Sequence, residues 1–222
     1  VFNQWNQGKR SVGVNLRSPE GIQLVKDAVK SADVVIQNFA TGVMDRLGLG
    51  YEVLASINPG IILASISGYG QTGPYREYMG YGPAIPPLTG LSATTGWADG
   101  GPEEVGVSMP DPTAGITAVW AIVSALARRD ETGRGDHLDV TLWESTGVLA
   151  VEAWMEYELS GAQPPRRGNR SRWMAPHGCF RCAGDDAWIS IAVRNDAGWR
   201  ALAALIDPAL VDDARFATLE SR

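Results

Sequence analysis

Apolar residues follow two different patterns along the first third of the chain. Residues 33–39 and 61–66 form continuous apolar runs of strand length, and residues 10–16 also have the pattern of a strand. Between these runs, apolar residues recur at helical spacing over residues 18–29 and 51–57. Ser18 and Pro19 supply the capping hydroxyl and the first-turn proline of a helix start. Continuous apolar strands separated by amphipathic helices are typical of a parallel sheet with helices on both faces. The pattern therefore predicts an α/β fold.

The rest of the chain divides into two regions. Residues 112–129 predict a very apolar helix, residues 137–142 a strand and residues 143–159 another helix. A segment rich in proline, glycine and arginine follows, and beyond it the pattern predicts a strand at 187–193 and a helix at 195–206. We therefore predict a large domain over residues 1–160, a linker over 161–174 and the start of a smaller α+β domain over 175–222.

A glycine-rich segment over residues 67–86, with Tyr69, Tyr75, Tyr78 and Tyr81 between its glycines, interrupts this alternation. Residues 87–110 continue in a loop-like pattern. Long ordered loops are commonly functional, and glycine lets the backbone approach a ligand closely. The segment lacks the Gly-Lys-Ser/Thr ending of a phosphate loop, and no strand leads into a Gly-x-Gly-x-x-Gly helix start. The sequence therefore predicts neither a Walker-type site nor a nicotinamide site, and a mobile surface loop is the alternative to a binding loop.

Composition excludes several classes of protein. The net charge of −6 argues against a nucleic-acid partner, which would favour a basic face. No apolar run approaches the roughly 18–20 residues of a membrane span. Cys179 and Cys182 form a C-x-x-C pair, but with only two histidines in the chain nothing completes a zinc site, so we predict two half-buried strand residues and no metal. Because nothing demands an oxidising compartment, we expect a cytoplasmic protein.

Asp111 lies between an irregular stretch and the apolar helix, in the sequence Met109-Pro110-Asp111-Pro112. An Asp-Pro pair is common where a helix begins, so Asp111 is interpreted as an N-cap. A carboxylate at this place also meets the helix dipole and unpaired N–H groups, which favour its ionised form. An ionised, partly desolvated carboxylate can attack an acyl carbon, and neighbouring N–H groups can hold the resulting oxyanion. Asp111 is therefore also a candidate nucleophile.

A succession of short motifs resembles the class III CoA-transferases, also called the CaiB/BaiF family. The motifs run in family order from residue 9 to about residue 200 and include Lys9-Arg10-Ser11, Asp45-Arg46-Leu47-Gly48, Ser67-Gly68-Tyr69-Gly70-Gln71-Thr72-Gly73-Pro74, Asp111 and Thr132-Gly133-Arg134-Gly135. The resemblance implies that Asp111 is a nucleophilic aspartate. It also implies a ping-pong transfer of CoA through aspartyl anhydride and aspartyl-CoA thioester intermediates, with no tightly bound cofactor and with coenzyme A or acyl-CoA as substrate.

The resemblance also implies a set of CoA contacts. Carried over by position, these are Val14, Asn15, Leu16, Arg17, Asn38, Phe39, Ala40, Arg46, Met79, Gly80, Tyr81 and Gly82. Arg17 and Arg46 are the expected phosphate partners. Tyr81 stands where the racemases of the family have a histidine, and tyrosine is a poor proton shuttle near neutral pH. We therefore expect transfer, with an acyl-CoA racemase and a non-catalytic CoA-binding relative as alternatives.

The fold implied by the resemblance is a large Rossmann-like domain and a small domain, in homodimers whose chains are interlocked. The family's large domain begins with a strand–helix unit that is not found ahead of Val1, and its returning C-terminal segment is not found in the sequence. We therefore expect the sequence to be part of a longer protein. Its partners are expected to be acyl-CoA, a carboxylic acid and a second copy of itself.

Overall fold

The computed structural model describes residues 2–106 and 108–222. The strands are β1 (Val34–Gln37), β2 (Ile62–Ser67), β3 (Asp136–Thr141), β4 (His177–Arg181) and β5 (Trp188–Ala192). The helices are α1 (Phe2–Trp5), α2 (Pro19–Val29), α3 (Val43–Arg46), α4 (Tyr51–Ile57), α5 (Ile85–Thr89), α6 (Leu91–Thr94), α7 (Pro110–Thr132), α8 (Leu142–Gly147), α9 (Val151–Ser160) and α10 (Asp196–Ile206). Short 3-10 turns cover Gly82–Ala84, Val148–Ala150, Pro208–Leu210 and Ala214–Phe216.

The parallel sheet predicted from the apolar runs is present. Its order is β1-β2-β3, and both pairings are parallel, with Val34 opposite Ile62 and Ile62 opposite Asp136. The central strand, β2, is buried over nearly its whole length, which explains its continuous apolar sequence. The α/β fold class is therefore confirmed.

The local sequence determines where helix α2 begins. The Ser18 Oγ accepts a hydrogen bond from the Gly21 N–H at 3.0 Å, and Pro19 occupies the first turn of α2. Both features are the predicted signals of a helix start. One face of α2 then packs with α4 and β2 in a core that includes Val29, Leu54 and Leu63. Helix α7 contributes Ala114 and Ala118 to a second core, which also contains Val140 of β3.

Three local predictions are wrong. Residues 10–16 do not form a strand, because within the described residues the parallel sheet contains β1, β2 and β3 only and leaves this segment no neighbour to bond. The loop-like reading of residues 87–94 is also wrong, since α5 and α6 occupy most of this stretch. Cys179 and Cys182 are both free and exposed rather than half-buried.

Helix α7 is longer than the predicted 112–129. It begins at Pro110 and ends at Thr132, where Gly133 adopts a left-handed φ of 70° and donates its N–H to the Arg129 carbonyl at 2.7 Å. A glycine in this conformation is a common helix stop. The longer N-terminal end places Asp111 inside the first turn.

The chain divides into two compact units. One comprises the described residues of Val1–Thr89 and Gly106–Ala150, which contain the parallel sheet, and the other comprises Gly90–Val105 and Val151–Arg222. The second unit contains the antiparallel hairpin β4-β5 and a small core around Trp199 and Ala203. The domain limits predicted from the sequence, 1–160, 161–174 and 175–222, stay a prediction. Across the described residues, no helix combines the length and apolar character that crossing a bilayer requires.

Asn58 connects the end of α2 with the start of β2. Its Nδ2 donates to the carbonyls of Val29 and Ala32 at 3.0 and 2.9 Å, and its Oδ1 accepts from the Gly60 N–H at 3.0 Å. Replacing Asn58 by Ala removes the Asn58 partner of the Ala32 carbonyl and of the Gly60 N–H, while the Val29 carbonyl keeps its bond from the Ala32 N–H at 3.2 Å. We therefore expect a loss of about 2 kcal/mol in the free energy of unfolding. Urea denaturation measures this, and the exposed neighbour Ser56→Ala is the control. An Asn58→Ala variant as stable as the control would contradict the assignment.

Candidate active site

Asp111 is the second residue of α7 and its side chain is exposed. Met109, not Asp111, occupies the N-cap position, and it makes no side-chain capping bond. The N-cap interpretation of Asp111 is therefore wrong, because the helix starts at Pro110, two residues earlier than the Asp-Pro pair suggests. The carboxylate still lies in the first turn of a 23-residue helix, where the helix dipole favours a negative charge.

Ser108 holds the Asp111 carboxylate from the preceding loop. The Ser108 Oγ donates to Asp111 Oδ2 at 2.6 Å, and the Asp111 N–H donates to the Ser108 carbonyl at 3.2 Å. Ser108 has a left-handed backbone with a φ of 54°, which is uncommon for a residue with a side chain. Sequence reasoning missed Ser108, since nothing in the local pattern signals this backbone conformation.

Gly82 packs directly against the Asp111–Ser108 pair. A Cβ placed on Gly82 would lie 2.2 Å from Asp111 Oδ2 and 2.2 Å from Ser108 Oγ, far inside van der Waals contact. Gly82 is buried and starts a 3-10 turn at the end of the glycine-rich loop. The absence of a side chain at residue 82 is therefore what lets this loop approach the carboxylate.

A cavity of about 380 Å³ opens on the loop residues that precede Gly82. It lies where the chain leaves the carboxyl ends of β1 and β2, because its lining includes Asn38 and Ser67. Ligands of open α/β sheets commonly bind at this edge of the sheet. Seven of the residues named as CoA contacts line the cavity: Asn38, Phe39, Ala40, Arg46, Met79, Gly80 and Tyr81. An eighth, Gly82, follows directly in the chain.

Two glycines bring the loop close to the end of β2. A Cβ on Gly68 would lie 2.6 Å from the Gly80 Cα, and a Cβ on Gly80 would lie 2.5 Å from the Gly68 Cα. The two backbones therefore cross with no room for side chains. The crossing positions residues 79–81 beside the end of β2. Asn38, which follows β1, is tied to the same end of β2, because its Nδ2 donates to the Ile66 carbonyl at 2.7 Å. Residues 67–69 and 76–81 of the glycine-rich segment thus form a wall of the cavity.

An aromatic cluster supports the same loop. Tyr69 lies edge-on to Tyr78 and to Trp143, with ring centroids 6.3 and 5.8 Å apart, and Tyr75 lies 5.4 Å from Tyr78. The Trp143 Nε1 donates to the Leu88 carbonyl at 3.3 Å. The alternation of tyrosine and glycine in the sequence signalled the tyrosines, but Trp143, 65 or more residues away in the chain, could not be found from it.

Arg46 supplies positive charge to the cavity. Arg46 and Arg76 both line it, but Arg76 has Glu77 as an ion-pair partner at 3.4 Å. Arg46 forms no ion pair with any of the described residues. An arginine without a carboxylate partner in a cavity is suited to bind a phosphate.

The four remaining CoA candidates, residues 14–17, are not part of the described cavity lining. They precede α2, where the Arg17 N–H donates to Asn15 Oδ1 at 3.0 Å and the Asn15 carbonyl lies against Gly21. Arg17 itself is exposed. The structure thus brings together the candidates after β1 and in the glycine loop, and it places Val14, Asn15, Leu16 and Arg17 elsewhere in the same unit.

The chain matches one protein family over its entire length. The family described as CoA-transferase family III matches residues 1–222. The chain belongs to CoA-transferase family III. Among curated members, the chain is 37% identical over 222 residues to the succinate–glutarate CoA-transferase of Agrobacterium fabrum and 40% identical over 217 residues to the acetyl-CoA:oxalate CoA-transferase of Acetobacter aceti. These alignments cover 100% and 97% of this chain, and 55% of each relative.

Solved structures of CoA-transferase family III relatives have the same fold. A CaiB/BaiF family protein from Brucella suis is similar with a TM-score of 0.89 and 40% identity, covering 98% of this chain and 57% of that one. The chain thus spans about half the length of the relatives that it matches. Among the described residues, no group of three or more His, Cys, Asp or Glu side chains is placed to hold a metal ion.

Proposed function

We propose that the complete protein transfers CoA between an acyl-CoA and a free carboxylic acid, with Asp111 as the residue that is acylated. The observation that carries the proposal is the contact between Gly82 and Asp111 Oδ2, which joins the carboxylate to the loop that walls the cavity. Membership of CoA-transferase family III supports the reaction class. The names of the relatives support short dicarboxylic acids, such as succinate, glutarate or oxalate, as the class of acceptor.

The first half of the proposed reaction takes the acyl group from its thioester. A carboxylate oxygen of Asp111 attacks the thioester carbon, the carbon–sulfur bond breaks, and CoA leaves as a thiolate while a mixed anhydride forms. The thiolate then attacks the Asp111 Cγ, and the donor acid leaves as a carboxylate. The product is an aspartyl-CoA thioester.

The second half repeats these steps with the acceptor acid. The carboxylate of the acceptor attacks the Asp111 Cγ, expels the CoA thiolate and forms a second anhydride. The thiolate attacks the acyl carbon of the acceptor, which releases the new acyl-CoA and restores the Asp111 carboxylate. The two anhydrides and the aspartyl-CoA thioester are all activated carboxyl derivatives that water would hydrolyse, so the site must keep out water.

The cavity is proposed to hold part of the CoA molecule. We assign Arg46 to contact with a phosphate of CoA. Residues 38–40 and 79–82 are assigned to contact with the part of CoA that extends toward Asp111. Val14 to Arg17 stay in the proposal as contacts made outside this cavity. No tightly bound cofactor is proposed, and the cytoplasmic location stays a prediction.

An interlocked homodimer is also part of the proposal. Helix α7 carries an apolar stripe at helical spacing that includes Ile116, Val119 and Trp120, with exposed fractions of 73%, 61% and 72%. An exposed stripe of this kind needs a covering surface. Since the chain spans about half the length of its relatives, the remaining segments and a second copy supply candidates for it.

A transfer assay tests the proposed function. The complete protein is incubated with succinyl-CoA or acetyl-CoA and, in turn, glutarate, oxalate and succinate, and each acyl-CoA is quantified by chromatography. We expect the CoA ester of an added acid to appear as the donor CoA ester disappears. Hydrolysis alone, or epimerisation of a chiral acyl-CoA without transfer, would contradict the proposal and would favour a different member of the same family.

Replacing Arg46 by Ala is expected to raise the KM for acyl-CoA about tenfold, because a charge-assisted hydrogen bond contributes about 1.5–3 kcal/mol. The kcat is expected to change little, since the phosphate is remote from the reacting carbon. Steady-state kinetics of the complete protein measure both constants.

The matched control is Arg134→Ala, which removes an exposed arginine from the turn after α7. Arg46→Lys should recover part of the affinity, since it keeps the charge but not the two-pronged geometry. An unchanged KM for Arg46→Ala would remove this residue from the proposed site.

A further inference from the structure

Ser108 has two features that a simple loop residue does not need. Its backbone is left-handed, with a φ of 54°, although glycine would adopt this conformation more easily. Its hydroxyl donates to Asp111 Oδ2 at 2.6 Å, within the range of a charge-assisted hydrogen bond to a carboxylate. A left-handed glycine would satisfy the backbone but would lose this bond, so the residue type is explained by the hydroxyl.

The two oxygens of Asp111 have different surroundings. Oδ2 accepts the Ser108 hydroxyl and lies 2.2 Å from the place that a Cβ on Gly82 would occupy. Oδ1 accepts no hydrogen bond from the described residues. The two oxygens thus differ, because Oδ2 is held by Ser108 beside Gly82 and Oδ1 is not held by any described residue.

We propose that Ser108 is a specific donor to Asp111 Oδ2 that directs Oδ1 to the acyl carbon and then stabilises the oxyanion formed on Oδ2. This inference rests on the proposed role of Asp111 as the acylated residue. A donor fixed in place before charge develops costs no reorganisation at the moment of reaction, which is why such donors have large effects on rate.

The second step of the reaction is the one that needs this donor. When the CoA thiolate attacks the Asp111 Cγ of the anhydride, a carbon–sulfur bond forms and the electron pair of the Cγ–Oδ2 double bond moves to Oδ2. The Ser108 hydroxyl keeps its proton and donates it as a hydrogen bond to this oxyanion. When the double bond re-forms, the Cγ–Oδ1 bond breaks, and the donor acid leaves as a carboxylate with Oδ1.

Two substitutions distinguish the effect of the Ser108 hydroxyl from the effect of its backbone conformation. Ser108→Ala removes the hydroxyl and keeps a side chain at the left-handed position, whereas Ser108→Gly removes the hydroxyl and relieves the backbone. In the complete protein we expect both to lower kcat for transfer about 100-fold, the effect of losing one oxyanion donor, with the KM for acyl-CoA unchanged. Ser124→Ala, which removes the hydroxyl of an exposed serine on α7, is the control.

A rapid-quench measurement adds a readout that a structural role would not change. After mixing with acyl-CoA, the mass of the intact protein reports the rate at which the CoA thioester forms on Asp111. We expect this rate to fall at least tenfold in both variants, while their thermal unfolding stays close to that of the wild type.

The possible outcomes are distinct. If either variant forms the thioester and transfers CoA at the normal rate, or if only Ser108→Ala is impaired, the hydroxyl is not the donor and the inference is wrong. The same holds if kcat falls while the rate of thioester formation does not. If the wild-type protein itself forms no adduct on Asp111, the proposed function fails instead of the role of Ser108.

Discussion

Asp111→Asn in the complete protein is expected to lower kcat for CoA transfer about 10⁴-fold or more, the scale of losing an enzymatic nucleophile. An amide cannot form the anhydride, and no other described carboxylate is hydrogen-bonded to Ser108 or packed on Gly82. The fold should be unaffected, because the Asp111 side chain is exposed and the Asn oxygen can still accept the Ser108 hydroxyl. Steady-state transfer and circular dichroism measure the two effects.

Asp130→Asn is the matched control for this substitution. Asp130 is an exposed aspartate near the other end of the same helix, far along the chain from the glycine loop. Its replacement changes the net charge by the same amount and is expected to leave transfer unchanged. Comparable losses in both variants would show that charge or folding, not a nucleophile, explains the result for Asp111.

The second large effect is expected for Gly82→Ala. The added Cβ would overlap both Asp111 Oδ2 and Ser108 Oγ at 2.2 Å, so the two side chains must move. A displacement of about 1 Å in a reacting group can cost about 100-fold in rate, and we expect a loss of kcat on this scale. Since exposed side-chain atoms are displaced rather than backbone, thermal unfolding is expected to change little.

Gly115→Ala provides the control for Gly82→Ala. Gly115 lies on α7, one turn from Asp111, and a Cβ there meets nothing within 4 Å. Alanine in a helix interior is favoured over glycine, so this variant should be active and at least as stable as the wild type. A fully active Gly82→Ala variant would show that the close approach of the loop to the carboxylate is unnecessary for catalysis.

The sequence predicted the parts of the fold that depend on local chemistry. The α2 start at Ser18 and Pro19, and the short helix over residues 51–57, follow from capping residues and periodicity, and both are confirmed. The continuous apolar run of β2 follows from burial on both faces, whereas β1 is only partly buried and exposes Ile36. These signals are contained in a few neighbouring residues, so they can be read before any tertiary contact is known.

The predictions from the sequence were wrong where a contact with another part of the chain decides the local structure. The strand expected at residues 10–16 has suitable residues but no neighbouring strand among those described. The N-cap assignment failed because Ser108, with its left-handed φ, lets α7 begin before Asp111. No local signal relates Gly82 to Asp111, which is 29 positions away, and the same is true of the crossing of Gly68 and Gly80. The resemblance to a family named Asp111 and Gly82, but only the structure relates them to Ser108.

The most direct test of this account is a map of the covalent adduct. The complete protein is incubated with acyl-CoA in the absence of an acceptor acid, quenched with hydroxylamine, digested and analysed by mass spectrometry. The account predicts a hydroxamate on Asp111 in the wild type and none at this position in the Asp111→Asn variant. A hydroxamate on any other residue, or none on the wild type with donors that support transfer, would contradict it.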